Sequence, residues 1–134
     1  MLKAILRGHR YLAFHSYLWQ KYTGSAIPEI AGVIQMAGLI FLHFFILANL
    51  THALIGLWIP PMGFGPWGGV AFMLLLVVTE YWCLMAKGRF DKIKREFESQ
   101  SEISIRRGRK VVLIYGFGSL FLAVLIPVLF SLRS

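Results

Sequence analysis

The sequence predicts an all-α, polytopic integral membrane protein, with three transmembrane helices preceded by an interfacial amphipathic N-terminal helix. Three observations lead there. Apolar stretches at residues 28–59, 69–87 and 111–132 each reach the roughly 18 residues that read as a membrane span. None of them carries the polar stripe at 3.6-residue spacing expected of a soluble helix. And thirteen of the fourteen Lys and Arg residues lie on one side of these stretches: Lys3, Arg7, Arg10 and Lys21 before the first, and nine more from Lys87, at the end of the second, to Lys110.

The charge asymmetry orients the chain. Cytoplasmic loops carry excess Lys and Arg near the ends of spans, and residues 60–68 carry no charge at all. The N-terminus and residues 88–110 are therefore expected in the cytoplasm, with the first loop and the C-terminus outside, in a membrane of the bacterial inner-membrane kind. Topology accounts for the net charge of +8, so no nucleic-acid partner is expected. The expected partners are a bilayer with anionic headgroups and a membrane protein or a second copy of the chain.

Residues 1–27 read as the interfacial segment. Leu2, Ile5, Leu6, Leu12 and Trp19 share one broad face, and Lys3, Arg7, Arg10 and Lys21 gather on another. Tyr11, Phe14, Tyr17, Trp19 and Tyr22 add rings, which favour the headgroup region as basic side chains do. Arg7, His9 and Arg10 interrupt the apolar run, so the segment does not read as a cleaved signal. Pro28 suits the first turn of a helix, and Glu29 there complements the positive end of the dipole. From Pro28 to residue 59, about 30 residues make a helix of about 45 Å against an apolar core of about 30 Å. The excess predicts a tilt, an outward projection or a break, the break falling at Asn49, Leu50, Thr51 and His52, the most polar patch in the run.

The outer loop, residues 60–68, is rich in Pro and Gly and apolar throughout. Trp58, Phe64 and Trp67 around it are candidates for contact with a partner. Beyond the second span, Phe90, Ile93 and Phe97 recur on one helical stripe among charged residues. Asp91–Arg95 and Lys92–Glu96 are pairs four residues apart, each adding about 0.2–0.5 kcal/mol to a helix. A turn at residues 99–102 closes a basic helical hairpin over 88–110. Its Arg106, Arg107, Arg109 and Lys110 are candidates for binding lipid headgroups.

Polar residues inside a span mark the places to look for chemistry, because burying them is costly. Counted inward from the basic end, Gln35, Glu80 and Tyr115 fall in one layer about 8–10 Å deep. They predict an intramembrane polar cluster in which Glu80 bonds Gln35, with Gly116 and Gly118 allowing close approach. Glu80 would then join helices, contact another subunit, or relay a proton or ion. His43 falls about twice as deep, level with Met73 and Val124. His43 and His52 are the candidate cofactor ligands, yet nine residues on one helix place them on opposite faces, and haem b needs two axial ligands at matched depth. No cofactor is predicted, with haem b or a quinone as the alternatives.

His9 and His15 share no helical face, so no metal site is predicted. The single cysteine, Cys83, excludes an intrachain disulfide. No catalytic constellation is present, and Gly63-x-Gly65 is a bend signal, so the chain does not read as an enzyme. The predicted function is that of a non-catalytic small membrane subunit, or an accessory or regulatory protein, packing against a larger membrane complex. One alternative is an immunity-type protein that protects against a membrane-targeted toxin. Another is a haem-, quinone- or ion-handling subunit that uses His43 or Glu80.

Overall fold

Each helix boundary has a local cause. The structure, a computed structural model, describes residues 1–56 and 65–131. Within them run α1 (Leu2–Tyr22), α2 (Pro28–Ile55), α3 (Gly65–Met85), α4 (Arg89–Phe97) and α5 (Glu102–Ser131). Three helices are long and apolar enough to cross a membrane: α2, α3 with its continuation, and α5. The all-α membrane architecture is thus the one that the sequence predicts, and the N-terminal helix is present.

α2 starts on Pro28 with Glu29 in its first turn. It does not break at residues 49–52. Asn49 Nδ2 donates to the Phe45 carbonyl at 2.8 Å, and Thr51 Oγ1 to the Leu47 carbonyl at 2.8 Å. Short polar side chains folded onto the preceding turn satisfy themselves without interrupting the ladder. The helix ends at Gly56, whose φ of 71° lets its N–H reach the His52 carbonyl. Between α3 and α4 the chain turns at Lys87 and Gly88, both at positive φ. Glycine adopts that conformation freely, whereas for Lys87 it costs about 1–2 kcal/mol. Ser101 caps α5 by accepting the Ser104 N–H at 3.3 Å. From Glu102 the helix runs unbroken through Arg106, Arg107, Arg109 and Lys110 into its apolar stretch.

α2 is the central helix. α3 packs on it through Phe72, whose ring lies 6.0 Å from that of Phe41 and 4.8 Å from that of Phe44. α5 packs on it where Gly116 meets Leu39 and Tyr115 stacks on His43. Among the described residues, α3 and α5 make at most marginal contact with each other. α1 runs antiparallel to the first half of α2: Tyr17 lies against Gly32, Ser16 donates to Met36 Sδ at 3.7 Å, and Leu12 faces Leu39 and Ile40.

The first turns of α1 expose Leu2, Ile5 and Leu6, while Ala13, Phe14, His15, Ser16 and Tyr17 are buried by protein. Phe14 stacks on Phe97 at 5.6 Å, and Tyr17 meets Phe90 edge-on at 5.3 Å. The stripe Phe90, Ile93 and Phe97 is therefore a protein core, closed by Val33 and Met36 of α2. Burying each such side chain contributes about 1.5–3 kcal/mol.

His15 is fully buried, its ring flat against Gly108 of α5. Gln100 stands beside it, yet neither ring nitrogen nor Gln100 Oε1 makes a hydrogen bond of good geometry among the described residues. Burial, reinforced by the nearby Arg109 charge, holds the His15 pKa below its ordinary value despite Gln100. The folded state thus favours the neutral ring. This contribution to stability is complete above the ordinary histidine pKa of about 6.5 and is lost as pH falls through the lower folded value.

Two outcomes follow from this packing. A Cβ on Gly108 overlaps the His15 ring, so Gly108→Ala should destabilise the protein by about 1–3 kcal/mol in detergent unfolding titrations. Gly118→Ala meets open space and should be near neutral. Between pH 7 and pH 5 the wild type should lose thermal stability, and His15→Gln should lose measurably less.

Candidate functional site

Charged side chains hold the basic end of the helices together. Lys94 of α4 donates to Glu29 at the start of α2 at 2.9 Å, and its ammonium lies 4.8 Å from the centre of the Tyr17 ring. Arg10 of α1 meets Glu96 of α4 at 3.4 Å, with Arg7 at 4.0 Å. These pairs span three helices and set how α1 and α4 lie across the ends of the others.

One carboxylate is buried. Glu80, on α3 and seven residues before Lys87, is 6% exposed. Its Oε2 lies 3.0 Å from Nε2 of His9, whose side chain is 29% exposed. The carboxylate accepts and the imidazole N–H donates. The docked core around Phe14 and Tyr17 fixes the rotation of α1, and that rotation turns His9 toward α3.

The expected bond from Glu80 to Gln35 is not formed. Gln35 instead accepts from Gln20 Nε2 of α1 at 3.1 Å. Tyr115 stacks on His43, with centroids 5.1 Å apart and rings inclined by 22°. His43 therefore lies level with Tyr115 and not with Val124. The depth count fails because Glu29 belongs to the charged layer with Lys94, not to the edge of the apolar one, so α2 is displaced relative to α5.

His43 Nδ1 lies 2.6 Å from the Leu39 carbonyl, which only accepts, so Nδ1 carries a proton. In a neutral ring Nε2 then accepts from the Ser119 hydroxyl at 3.3 Å. An axial bond from His43 to haem iron would have to displace Ser119. His52 lies on the last turn of α2. Among the described residues, no three His, Cys, Asp or Glu converge as metal ligands.

The predicted lipid-binding residues lie on one stretch of α5, where Ile103, Arg106, Arg107 and Lys110 border a hollow of about 370 Å³. Arg106 is tied to Glu102 at 2.6 Å, and Arg109 lies over the Tyr22 ring at 4.9 Å. Trp67 is 81% exposed at the start of α3. Trp58 and Phe64 lie outside the residues whose side chains are described.

A larger groove of about 750 Å³ opens between α1, α3 and α4, with the His9–Glu80 pair on its wall. Lys3, Arg7, Arg10, Arg89 and Lys92 line it, against Glu80 and Glu96. Its apolar lining includes Ile5, Leu6, Leu84 and Ile93. A second cavity of about 290 Å³, bounded by Gly8, Met36, His43 and Tyr115, shares Ile5 and His9 with it. The sequence gives no separate signal for His9 as a partner of Glu80. A buried carboxylate requires a donor, and His9 is one of several polar residues on α1 able to supply one.

Comparison with protein-family models, with curated proteins and with solved structures finds no match for this chain.

A double-mutant cycle of His9→Ala and Glu80→Ala should give a coupling of about 1–3 kcal/mol in detergent unfolding, since the pair is largely desolvated. The same cycle on Arg7 and Glu96, an exposed pair, should give less than about 1 kcal/mol.

Proposed function

We propose that this chain is a non-catalytic membrane subunit that packs against a larger membrane assembly through the outward face of α3. The observation that carries this reading is the open arrangement of the spans. α3 is held on one side by α2, and only 11% of its apolar window is buried. Its exposed large side chains, Val70, Leu74, Leu75, Val78, Tyr81 and Trp82, recur at three- and four-residue steps and form one continuous stripe. A helix of a neighbouring protein would cover that stripe by the close packing that joins membrane helices.

The partnerships of His43 and Glu80 support a structural role for both. His43 is engaged at each nitrogen and Glu80 by His9. We also place the basic end in the cytoplasm, as the excess of Lys and Arg there supports. The C-terminus is then outside, in a membrane of the bacterial inner-membrane kind.

A photoreactive residue at Val78, in protein expressed at its native level, should crosslink to one defined protein that also co-purifies in mild detergent. The same probe at Phe121 on the outward face of α5 should crosslink to lipid. Leu74→Trp together with Val78→Trp should abolish co-purification while leaving the helical content unchanged. Crosslinks to lipid alone from both positions, with the protein eluting by itself, would overturn the reading.

A further inference from the structure

We propose that the groove between α1, α3 and α4 binds an anionic phospholipid of the surrounding membrane. The inference is independent of the partner on the outward face of α3, because the groove opens on another side of that helix.

The argument begins with charge. Five permanent cations from three helices line one groove with two carboxylates. Glu80 is taken by His9, and Glu96 is shared by Arg7 and Arg10. Lys3, Arg89 and Lys92 have no ion-pair partner among the described residues, although Arg89 Nη1 donates to the Cys83 carbonyl at 3.4 Å. The turn at Lys87 and Gly88 is what swings Arg89 and Lys92 beside the N-terminal half of α1. An uncompensated positive cluster at that place favours a phosphate group, because Lys and Arg both recognise its oxygens.

The second part is polarity along the groove. One end reaches Glu80, Cys83 and Leu84, inside the apolar stretch of α3, and the other reaches Lys92 and Glu96 on the charged helix α4. The groove therefore straddles the boundary at which headgroups lie. Ile5 and Leu6 supply an apolar wall, and both are more than half exposed. A free phosphate would use only the cationic end, whereas a phospholipid uses both, its headgroup among Lys3, Arg89 and Lys92 and its upper acyl chain along Ile5, Leu6 and Leu84. The basic stretch on α5 differs, since Arg106, Arg107 and Lys110 come from one helix face with Ile103 as their single apolar companion.

The test uses the full-length protein in neutral detergent doped with phosphatidylglycerol or phosphatidylcholine, with bound lipid counted by native mass spectrometry. Wild type should retain phosphatidylglycerol selectively. The variant carrying Lys3→Gln, Arg89→Gln and Lys92→Gln should bind it about tenfold more weakly or worse. All three side chains are exposed, so circular dichroism and elution should match wild type, and Lys92→Gln alone should give a smaller loss in the same direction. A control variant with Arg106→Gln, Arg107→Gln and Lys110→Gln should keep most of the binding. Inorganic phosphate at constant ionic strength should not displace the lipid. Equal retention of both lipids, or equal weakening by the two triple variants, would overturn the proposal in favour of diffuse surface charge. Displacement by inorganic phosphate would overturn it in favour of a free-anion site.

Discussion

The docking of α1 along the inner half of α2 is the constraint on which the rest of the basic end depends. Gly32 gives Tyr17 room to approach the backbone of α2, and the buried segment from Ala13 to Tyr17 then meets α2, α4 and α5 at once. Phe14 and Tyr17 close the core with α4, and His15 lies on Gly108 of α5. Once these contacts fix the position and rotation of α1, the polar contacts follow from geometry. His9 faces Glu80, Gln20 faces Gln35, and Arg7 and Arg10 reach Glu96. A helix lying free on lipid would deliver none of these in register.

The two ends of the molecule are consequently built on different principles. At the basic end, α1, α2, α3 and α4 share an aromatic core, α5 joins it where His15 lies on Gly108, and ion pairs and the buried His9–Glu80 contact bridge the helices. Toward the other end, among the described residues, α2 joins α3 and α5, with small residues such as Gly116, Ser119 and Ala123 on the inward stripe of α5. Most apolar area on α3 and α5 therefore faces outward. The packed end is where the chain determines its own fold, and the open end is where lipid or a partner must complete the packing. Water drives association weakly within a bilayer, so close packing and polar contacts carry it there. That makes the well-packed basic end the anchor for all three spans.

The architecture was legible because the signals for it are local. Apolar length and charge asymmetry identify the three spans without knowledge of any contact. Pro28 and the stripe of Phe90, Ile93 and Phe97 were equally readable. The polar contacts were not, for two physical reasons. The last charged residue of a helix does not mark the same depth on each, because Glu29 projects into a charged layer with Lys94, which shifts α2 and brings His43 to Tyr115. And α1 carries aromatic and basic residues that suit a lipid surface and a protein groove alike. Nothing in its composition distinguishes a Phe14 facing lipid from a Phe14 stacked on Phe97. The choice is made by Gly32 and Gly108, whose missing side chains become informative only when their neighbours are known.

The most direct measurement concerns that docking. Gln20 of α1 donates to Gln35 of α2 at 3.1 Å, outside the close approach at Gly32. In a background with Cys83→Ser, the pair Gln20→Cys and Gln35→Cys should be joined rapidly by a short bifunctional thiol reagent, in membranes as in detergent. A pair at Lys3→Cys and Gln35→Cys, far apart along the hairpin, should not. If the first pair stays unlinked while both cysteines react freely with maleimide, α1 does not pack along α2 and the account of the basic end is wrong.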